Sequence, residues 1–337
     1  MTELELHLLN DFQHDFPLAA APFRKIAAHL GSDENAVLAV LARLQKQGAV
    51  SRVGAVFRPH TIGASTLAAM ATPEEKLLAV AHRISLFPEI NHNYEREHHY
   101  NLWFVATAPD SERLGDVLRR IQAEAGYPLL VLPMLEDFHI DLGFDLAHSP
   151  NGTVDSIRGV RRGGTSPARY APHPDESRLI AAIQNGIPLA PRPYAEIGAQ
   201  TDMSEAEVIA GLSRLLEQGV IRRLGVVVRH HELGYRANAM VVWDVPDADV
   251  GKVGRCLGQF DCVTLCYRRP RRPPEWRYNL FSMIHGRDRN EVLGLVDQLR
   301  AACKLADTPH EVLFSRRRFK QCGARYVEER CVEAGVA

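Results

Sequence analysis

The pattern of apolar and polar positions divides the chain into segments with helix periodicity and segments with strand periodicity. In SDENAVLAVLARLQKQG (32–48), apolar residues recur three and four apart, which predicts an amphipathic helix. Ser32 is its predicted N-cap and Gly48 its predicted stop. The alternating stretch AVSRVGAVFRP (49–59) then predicts a short β-ribbon. Preceded by a helix near 2–13 and by the segment PFRKIAAHLG, this order is typical of a winged helix-turn-helix.

The following residues alternate strand and helix patterns in another order. STLAAMAT (65–72) predicts a strand, EEKLLAVAHRISLF (74–87) a helix, and EINHNYEREHHYNLWFVAT (89–107) a hairpin. SERLGDVLRRIQAEAG (111–126) predicts a second helix, and PLLVLPMLED (128–137) predicts a last strand. The order βαββαβ is that of a ferredoxin-like domain.

Both patterns occur a second time in the chain. Residues 16–63 align without gaps to residues 187–234, an offset of 171. Beyond this stretch the second copy predicts strands near 237–245, 262–269, 277–284 and 309–315, with a five-residue insertion before Tyr278. We therefore predict an α+β chain that is a tandem repeat of a winged helix-turn-helix and a ferredoxin-like βαββαβ module.

Five regions follow from the repeat. We expect a winged helix-turn-helix at 1–60, a ferredoxin-like ligand domain at 61–146, a flexible linker at 147–176, and the second copies at 177–231 and 232–330. The linker is rich in Gly, Pro, Ser and Arg. Two copies in one chain can supply the pairing that a homodimer otherwise provides, so we expect an intrachain pseudo-dimer, and a further homodimer stays open.

Composition excludes several classes of protein. The chain is 46% apolar and 24% charged with a net charge of −1, and it has no apolar run long enough to span a bilayer. The start MTELELHLLNDF lacks the features of a secretory signal, so a cytoplasmic protein without a membrane partner is predicted. The six cysteines all follow residue 250 without a paired C-x-x-C, and we expect them to be small buried residues rather than disulfides or metal ligands.

The predicted recognition helices argue against DNA binding. They open with SDENAV and MSEAEV, which place carboxylates where a duplex would present phosphates. Arginines on or near the ribbons could touch phosphate, but no suitable reading helix accompanies them; they are Arg52, Arg58, Arg222, Arg223 and Arg229. We therefore expect no nucleic-acid partner and interpret the winged helices as scaffold and dimerisation surface.

Strand parity points to the ferredoxin-like halves as the place of any chemistry. His92, Tyr94 and Arg96 fall on one face of their strand, and Tyr267 and Arg269 repeat the Tyr-x-Arg pair in the second copy. The copies differ around these pairs: the first continues into Glu-His-His, whereas the second continues into the arginine-rich loop YRRPRRPPEWR. Histidines and arginines are thus distributed unequally between two otherwise similar halves.

A winged helix followed by βαββαβ resembles the Lrp/AsnC family of transcription regulators. Within that group, REHHYNLWFVA and DFHIDLGFDL in the first copy, with CYRRP…YNLFSMIHG and LFSRRRFKQCGARY in the second, resemble the sirohaem decarboxylases of haem d1 and alternative haem biosynthesis. The resemblance spans nearly the whole chain and indicates a fused form of an enzyme that otherwise pairs two polypeptides. It implies a carboxy-lyase that converts sirohaem into 12,18-didecarboxysirohaem, with neighbouring haem-pathway enzymes as partners and no cofactor beyond the iron of the substrate.

Sirohaem carries many carboxylates around a flat apolar ring with iron at its centre. Guanidinium groups are expected to hold the carboxylates that remain, and an imidazole is expected to deliver the proton that replaces CO₂. His98 is the first candidate for that donor, since parity lets one of two adjacent histidines face the cleft, and His285 is a second donor or an axial iron ligand. The candidates for catalysis are His98, His285, Arg96 and Tyr100; those for substrate binding are Arg269, Arg268, Asn101, Tyr278, Asn279, Trp103, Arg272 and His99.

Other histidines and two other functions complete the expectations. His60 and His231 match across the copies and are interpreted as structural, as are His139 and Asp141. One alternative function is an Lrp/AsnC-type DNA-binding regulator that senses a haem-like or small-molecule ligand. The other is a noncatalytic carrier that binds sirohaem and returns it unchanged.

Overall fold

The structure is a computed structural model, and it describes residues 1–14, 16–58, 61–140, 170–229, 237–324 and 326. Most of the predicted linker lies outside the described residues, as do His60, His231 and Asp141. Within the described ranges, no helix is both long enough and apolar enough to cross a bilayer.

The elements of the first copy follow the predicted order, except that the predicted last strand is divided in two. They are α1 (Glu3–Asn10), α2 (Pro22–His29), α3 (Glu34–Lys46), β1 (Val50–Phe57), β2 (Ala64–Met70), α4 (Glu74–Ser85), β3 (Ile90–Arg96), β4 (Leu102–Ala108), α5 (Ser111–Ala125), β5 (Leu130–Pro133) and β6 (Glu136–Ile140).

The second copy repeats this order with a single long last strand. Its elements are α6 (Pro174–Ile183), α7 (Pro193–Thr201), α8 (Glu205–Glu217), β7 (Ile221–Val228), β8 (Ala237–Trp243), α9 (Val250–Leu257), β9 (Val263–Arg268), β10 (Leu280–Gly286), α10 (Arg289–Ala302) and β11 (His310–Gln321).

The ends of the third helix in each winged helix are set by local chemistry. Asp33, rather than the predicted Ser32, caps α3, because its carboxylate accepts the backbone N–H of Ala36 at 2.9 Å. Ser204 and Glu207 form a capping box at the start of α8. Gly48 follows α3 with φ of +85°, which confirms the predicted stop.

The two wings form one ribbon that is shared between the copies. Strand β1 pairs antiparallel with β7, with Val50 opposite Val228 and Phe57 opposite Ile221. At its centre Gly225 lies so close to the backbone of Gln13 that a Cβ would meet the Gln13 carbonyl oxygen at 2.1 Å. Both winged helices and this wing ribbon enclose a single apolar core. Each copy therefore contributes one wing strand to the other, instead of forming a ribbon by itself.

The ferredoxin-like modules exchange strands in the same way. The sheet order is β5-β2-β4-β3-β11-β8-β10-β9-β6, so each copy has its own four-stranded arrangement and lends part of its last strand to its neighbour. The first half of β11 pairs with β8 and its second half pairs with β3. In the first copy, β5 pairs with β2 of its own module, and β6 pairs with β9 of the second copy. Because β5 and β6 are consecutive in the chain, the two sheets close into a ring.

Helices cover the outside of this ring and leave its inside to side chains of both copies. Helices α4 and α5 pack on the first sheet, and α9 and α10 pack on the second. Inside, a separate core combines residues such as Leu67 and Trp103 with Met240, Phe281 and Leu313. The remaining interior is a cavity.

The expectation that the cysteines are buried and not in disulfides is wrong in two respects. Cys256 and Cys303 form a disulfide, because α9 and α10 pack on the same sheet and bring their C-terminal ends together, with the two Cα atoms 5.9 Å apart. Cys266 is buried and free as expected, whereas the free Cys262 is partly buried and the free Cys322 is exposed. Cys331 lies outside the described residues. Among the described residues, no group of three or more metal-ligating side chains comes together.

A candidate active site between the two sheets

A cavity of about 720 Å³ lies between the facing sheets and below the wing ribbon. Its size is within the range of roughly 300–1,000 Å³ that small-molecule and cofactor sites occupy. Strands β2, β3 and β4 line one side, strands β8, β9 and β10 line the other, and residues of the wing ribbon and the end of β11 complete the wall. Neither copy could form this cavity by itself.

The Tyr-x-Arg pairs of both copies face this cavity. Tyr94 and Arg96 line it from β3, and Tyr267 and Arg269 line it from the end of β9, which confirms the predicted strand parity. The Arg269 guanidinium lies 4.5 Å from the centroid of the Tyr267 ring, and that of Arg96 lies 5.8 Å from the Tyr94 ring. The repeat thus places equivalent cations on opposite sides of one space.

Each of these arginines is anchored to the last strand of the other copy. Arg96 Nη1 donates to the carbonyl of Leu313 at 3.0 Å, and Arg269 Nη1 donates to the carbonyl of Leu132. Leu313 and Leu132 occupy equivalent places in the last strands, in the segments that pair with their own copies. Contact between the two copies therefore fixes the orientation of both side chains.

The two buried guanidinium groups lack an anionic partner. No carboxylate among the described residues forms an ion pair with Arg96 or Arg269, and burial lowers the pKa of Arg96 to about 10 and also lowers that of Arg269. Both remain cationic near neutral pH. Arg269 Nε is buried and has no hydrogen-bond partner in the described part of the chain. Because a buried charge is costly without compensation, this arrangement suits an anionic ligand.

Two further cavity arginines were missed by the sequence analysis, which assigned the wings to scaffold. Arg52 of β1 and Arg229 just after β7 line the cavity from the wing ribbon. Their matching residues in the repeat, Arg223 and Arg58, are also arginines but do not line it. Periodicity could not distinguish them, because the choice depends on how the shared ribbon lies over the sheets.

Among the residues that the structure describes, the imidazoles that face the cavity are those of His92 and His285. His92 Nδ1 lies 2.7 Å from Asn91 Oδ1, and Asn91 Nδ2 donates to Thr107 Oγ1 at 2.9 Å. This assignment puts the ring proton on Nδ1 and leaves Nε2 with a free lone pair. Burial and the nearby Arg52 charge lower the pKa of His92 to about 4, so the ring is neutral near pH 7.

Apolar side chains from both copies supply the wall between these polar groups. Trp103 and Val105 line the cavity on the first sheet, and Met240 and Met283 line it on the second. Phe281 is fully buried behind Tyr267, with ring centroids 6.1 Å apart. The wall is therefore wide and largely apolar.

His98 does not reach the cavity. Its Nε2 lies 2.9 Å from a carboxylate oxygen of Glu311, whose other oxygen accepts the Tyr278 hydroxyl at 2.6 Å. The His98 ring also packs edge-on against Trp276, at 5.5 Å between centroids. We call these four residues the clasp, because they join the first copy to the second.

The expectation that one histidine of the His98–His99 pair faces the cleft is therefore corrected. Strand β3 ends at Arg96 and β4 begins at Leu102, so both histidines lie in the connecting turn, where strand parity does not apply. His99 is exposed and packs edge-on against Tyr100. Burial lowers the pKa of His98, against the opposing effect of Glu311.

The Tyr-Asn strand starts also lie outside the cavity wall. The Asn101 side chain accepts the Thr72 N–H at 3.0 Å and donates to the Thr72 carbonyl at 2.7 Å. Asn279 makes the same two bonds to Val245, at 3.0 and 2.9 Å. Tyr100 stacks on His98 at 6.0 Å. These residues tether loops and hold the clasp. The catalytic role expected of Tyr100 and the substrate-binding roles expected of Asn101, Tyr278 and Asn279 are therefore corrected.

Three arginines of the arginine-rich loop pair with Asp244 and Asp247, which follow β8. Arg271 binds Asp244 at 2.7 Å and Asp247 at 2.6 Å, and Arg277 binds Asp244 at 2.7 Å. Arg268 lies 3.5 Å from Asp247, and Arg272 donates to the Arg271 carbonyl. The expectation that Arg268 and Arg272 bind substrate is therefore corrected. Asp244 and Asp247, close together in DVPD, were the sequence signal for these ion pairs.

The basic cluster of SRRRFK lies on one side of the cavity. Arg316, Arg317 and Arg318 line it from β11. Arg316 and Arg317 also lie 3.8 and 3.6 Å from oxygens of Glu95. These arginines are partly neutralised, in contrast to Arg96 and Arg269.

Comparison with known families gives two matches, each of which occurs twice along the chain. The AsnC-like ligand binding domain matches residues 61–139 and 232–320, and the siroheme decarboxylase NirDL-like HTH domain matches residues 5–50 and 176–222. Together these matches cover more than half of the chain, in the alternating order that the repeat predicts.

Individual proteins are similar over the same extent. The siroheme decarboxylase NirDL subunit of Paracoccus denitrificans is 43% identical over 97% of this chain and 98% of its own length. The siroheme decarboxylase NirD subunit of Stutzerimonas stutzeri is 52% identical over 42% of this chain and 94% of its own length, as expected for one half of a fused pair. A crystal structure of the siroheme decarboxylase NirDL in co-complex with an iron-uroporphyrin III analogue has a TM-score of 0.68 and 29% identity, and the match covers 96% of this chain and 93% of that chain.

Proposed function

The chain belongs to the sirohaem decarboxylase family of carboxy-lyases, in its fused two-subunit form, and we propose that it converts sirohaem into 12,18-didecarboxysirohaem in the cavity between its two sheets. The observation that carries this proposal is the pair of buried guanidinium groups, Arg96 and Arg269, which face an apolar space without a carboxylate partner. A flat apolar macrocycle with peripheral carboxylates matches both properties. The co-complex of the related decarboxylase with an iron-uroporphyrin analogue supports a ligand of this class.

Each decarboxylation breaks the bond between an acetate methylene carbon and its carboxylate. The electron pair stays on the methylene carbon, where the adjoining macrocycle delocalises it, and CO₂ leaves. A proton then adds to that carbon and completes the methyl group. The protein therefore has to hold the ring, place the reacting acetate where it is poorly solvated, and deliver one proton per CO₂.

Arg96 and Arg269 are assigned to carboxylates that remain in the product. A guanidinium that bound the reacting carboxylate tightly would stabilise the ground state and slow the reaction, because only stabilisation specific to the transition state raises the rate. The apolar wall around Trp103, Met240 and Met283 is assigned to the leaving carboxylates, which lose hydration there.

The two cavity imidazoles receive different roles. His92 is neutral and keeps a lone pair on Nε2, so it suits a ligand to the iron of the substrate rather than a proton donor. His285 lies on the opposite sheet, on the same strand face as Met283, and is assigned as the proton donor. This assignment replaces His98 as the donor, since His98 lies in the clasp outside the cavity.

The regulator alternative has less support. In the winged helices, Arg24 binds Glu34 at 3.3 Å and Arg192 forms an ion pair with Glu205, so the starts of both recognition helices remain acidic or neutralised. The wing ribbon, which touches DNA in many winged helices, lies over the cavity instead.

One incubation separates the three functions. The protein is mixed with sirohaem without oxygen, and the mass of the recovered pigment is measured. The proposal predicts a pigment that is lighter by two CO₂. Unchanged pigment that copurifies with the protein would instead identify a carrier, and specific binding of a DNA duplex without pigment binding would identify a regulator.

A further inference from the structure

The wing ribbon places two arginines over the cavity in a way that a scaffold does not require. Arg52 pairs with Val227 across the ribbon, and Arg229 lies two residues beyond Val227 on the same face. Both arginines line the cavity, whereas Arg58 and Arg223, which match them in the repeat, lie elsewhere. One end of a nearly symmetric ribbon is therefore directed at the candidate active site.

Both side chains are held in place but are not neutralised. Arg52 Nη2 donates to the Ala55 carbonyl at 3.0 Å, and Arg229 Nη1 donates to the Gly48 carbonyl at 3.2 Å. The Nε atom of each is buried without a hydrogen-bond partner among the described residues. No described carboxylate forms an ion pair with either of them. A fixed guanidinium with an unused buried donor can accept a carboxylate without first losing another partner.

The surroundings place these charges opposite the inner face of β3. The Arg52 charge acts on His92, and the Arg229 charge acts on Tyr94. Both of those residues line the cavity on the same strand face as Arg96. A ligand that lies against β3 would therefore meet Arg96 from the sheet and Arg52 and Arg229 from the ribbon.

We infer that Arg52 and Arg229 bind carboxylate groups of the tetrapyrrole, so that the winged-helix domains form one wall of the substrate site. This inference rests on the proposed function, since it names further contacts to the same ligand. It gives the winged helices a direct part in recognition, in a chain whose recognition helices begin with acids. It also explains why only one arginine of each repeat pair is directed inwards.

Iron-uroporphyrin III, an octacarboxylate analogue, serves as the probe, and its dissociation constant is measured by Soret titration at several salt concentrations. Arg52→Gln and Arg229→Gln are each expected to weaken binding roughly tenfold or more, because a hydrogen bond between charged groups is lost. The salt dependence of the dissociation constant should also decrease, which a change of shape alone would not cause. Arg58→Gln is the matched control and should bind like the parent protein.

A second pair of variants separates lost contacts from lost folding. Arg52→Lys and Arg229→Lys keep the charge but not the planar fork, and they should keep the parent salt dependence while losing less affinity than the Gln variants. Gln variants with parent affinity and parent salt dependence would overturn the inference. If the parent protein itself fails to bind the probe and returns sirohaem unchanged, the proposed function fails instead, whatever the ribbon variants do.

Discussion

At equivalent positions of the inner sheet surface, the first copy carries His92 and Thr107 where the second carries Leu265 and His285. All four residues line the same cavity, so both copies present this face to the ligand space and differ only in its chemistry. The Tyr-x-Arg pairs beside them are the same in both copies. We interpret the shared residues as ligand holders and the exchanged histidines as the groups that make the two sides of the ligand chemically different.

The strand connections differ in another way. In the first copy β3 joins β4 through a short turn that carries His98, whereas the insertion in the second copy brings Trp276 into the interior. Trp276 is 2% exposed and packs against His98, Trp103 and Tyr278. The insertion thus fills part of the interior between the two sheets.

The largest effect is expected from removing the cavity arginine that each copy contributes. The double variant Arg96→Ala/Arg269→Ala should weaken sirohaem binding by roughly a hundredfold or more, because two buried carboxylate contacts are lost. Turnover of the bound substrate should change much less. Equilibrium titration and single-turnover rates measure the two quantities separately. Arg272→Ala, at a loop position that does not line the cavity, is the control and should leave both unchanged.

A loss of rate without a loss of binding would contradict this assignment. It would mean that the guanidinium groups act on the leaving carboxylates rather than on those that remain.

The next effect concerns the histidine that distinguishes the second copy. His285→Thr gives the second copy the residue of the first, and we expect the single-turnover rate to fall by about 10²-fold or more, the usual contribution of a positioned proton donor. Binding of iron-uroporphyrin should stay within a few-fold of the parent. His98→Ala is the comparison variant, and an equal loss of rate in that variant would return the donor role to the clasp.

A smaller effect is expected on stability as a function of pH. The pKa of His92 is about 4 in the folded chain and about 6.5 when unfolded, so the unfolded chain binds more protons between these values. The contribution of His92 is therefore complete above pH 6.5 and is lost as the pH falls towards 4, by about 3 kcal/mol. His92→Leu, which copies Leu265, should flatten this part of the stability profile. Urea unfolding from pH 4 to 8 measures it, and an unchanged profile would refute the assignment.

The smallest effect should come from the clasp. Glu311 is half exposed, so its hydrogen bond with His98 is expected to contribute no more than about 1 kcal/mol. Glu311→Gln should lower the free energy of unfolding by about that amount and leave turnover unchanged. Thermal unfolding and single-turnover rates give the two readouts. A large loss of turnover would show that the clasp takes part in the reaction.

Much of the architecture could be predicted because apolar residues recur with different periods in helices and in strands. The repeat also allowed each predicted element to be checked against its counterpart in the other copy. The strand exchange could not, since β6 pairs with β9 of the other copy through contacts that leave no local signature. Domain boundaries at residues 60, 146, 176 and 231 stay predictions.

Which side chains face the cavity could be predicted where they lie on a regular strand. Parity placed Arg96 and Arg269 correctly because both strands are regular up to or near these residues. It failed for His98 because a turn follows Arg96, and it could not identify Arg52 because the wing reaches the cavity only through the shared ribbon. The number of arginines in the 268–277 loop was misleading for a third reason. Asp244, which pairs with Arg271 and Arg277, lies about 30 residues earlier in the chain, so the loop sequence alone does not reveal the ion pairs.

The central claim is that both copies build one tetrapyrrole site, and the stoichiometry of binding tests it most directly. A Soret titration of the parent chain with iron-uroporphyrin III at protein concentrations well above the dissociation constant should reach saturation at one ligand per chain. The Arg96→Ala/Arg269→Ala variant should show no such end point under the same conditions. Two ligands per chain, or an undiminished end point without both arginines, would contradict the account.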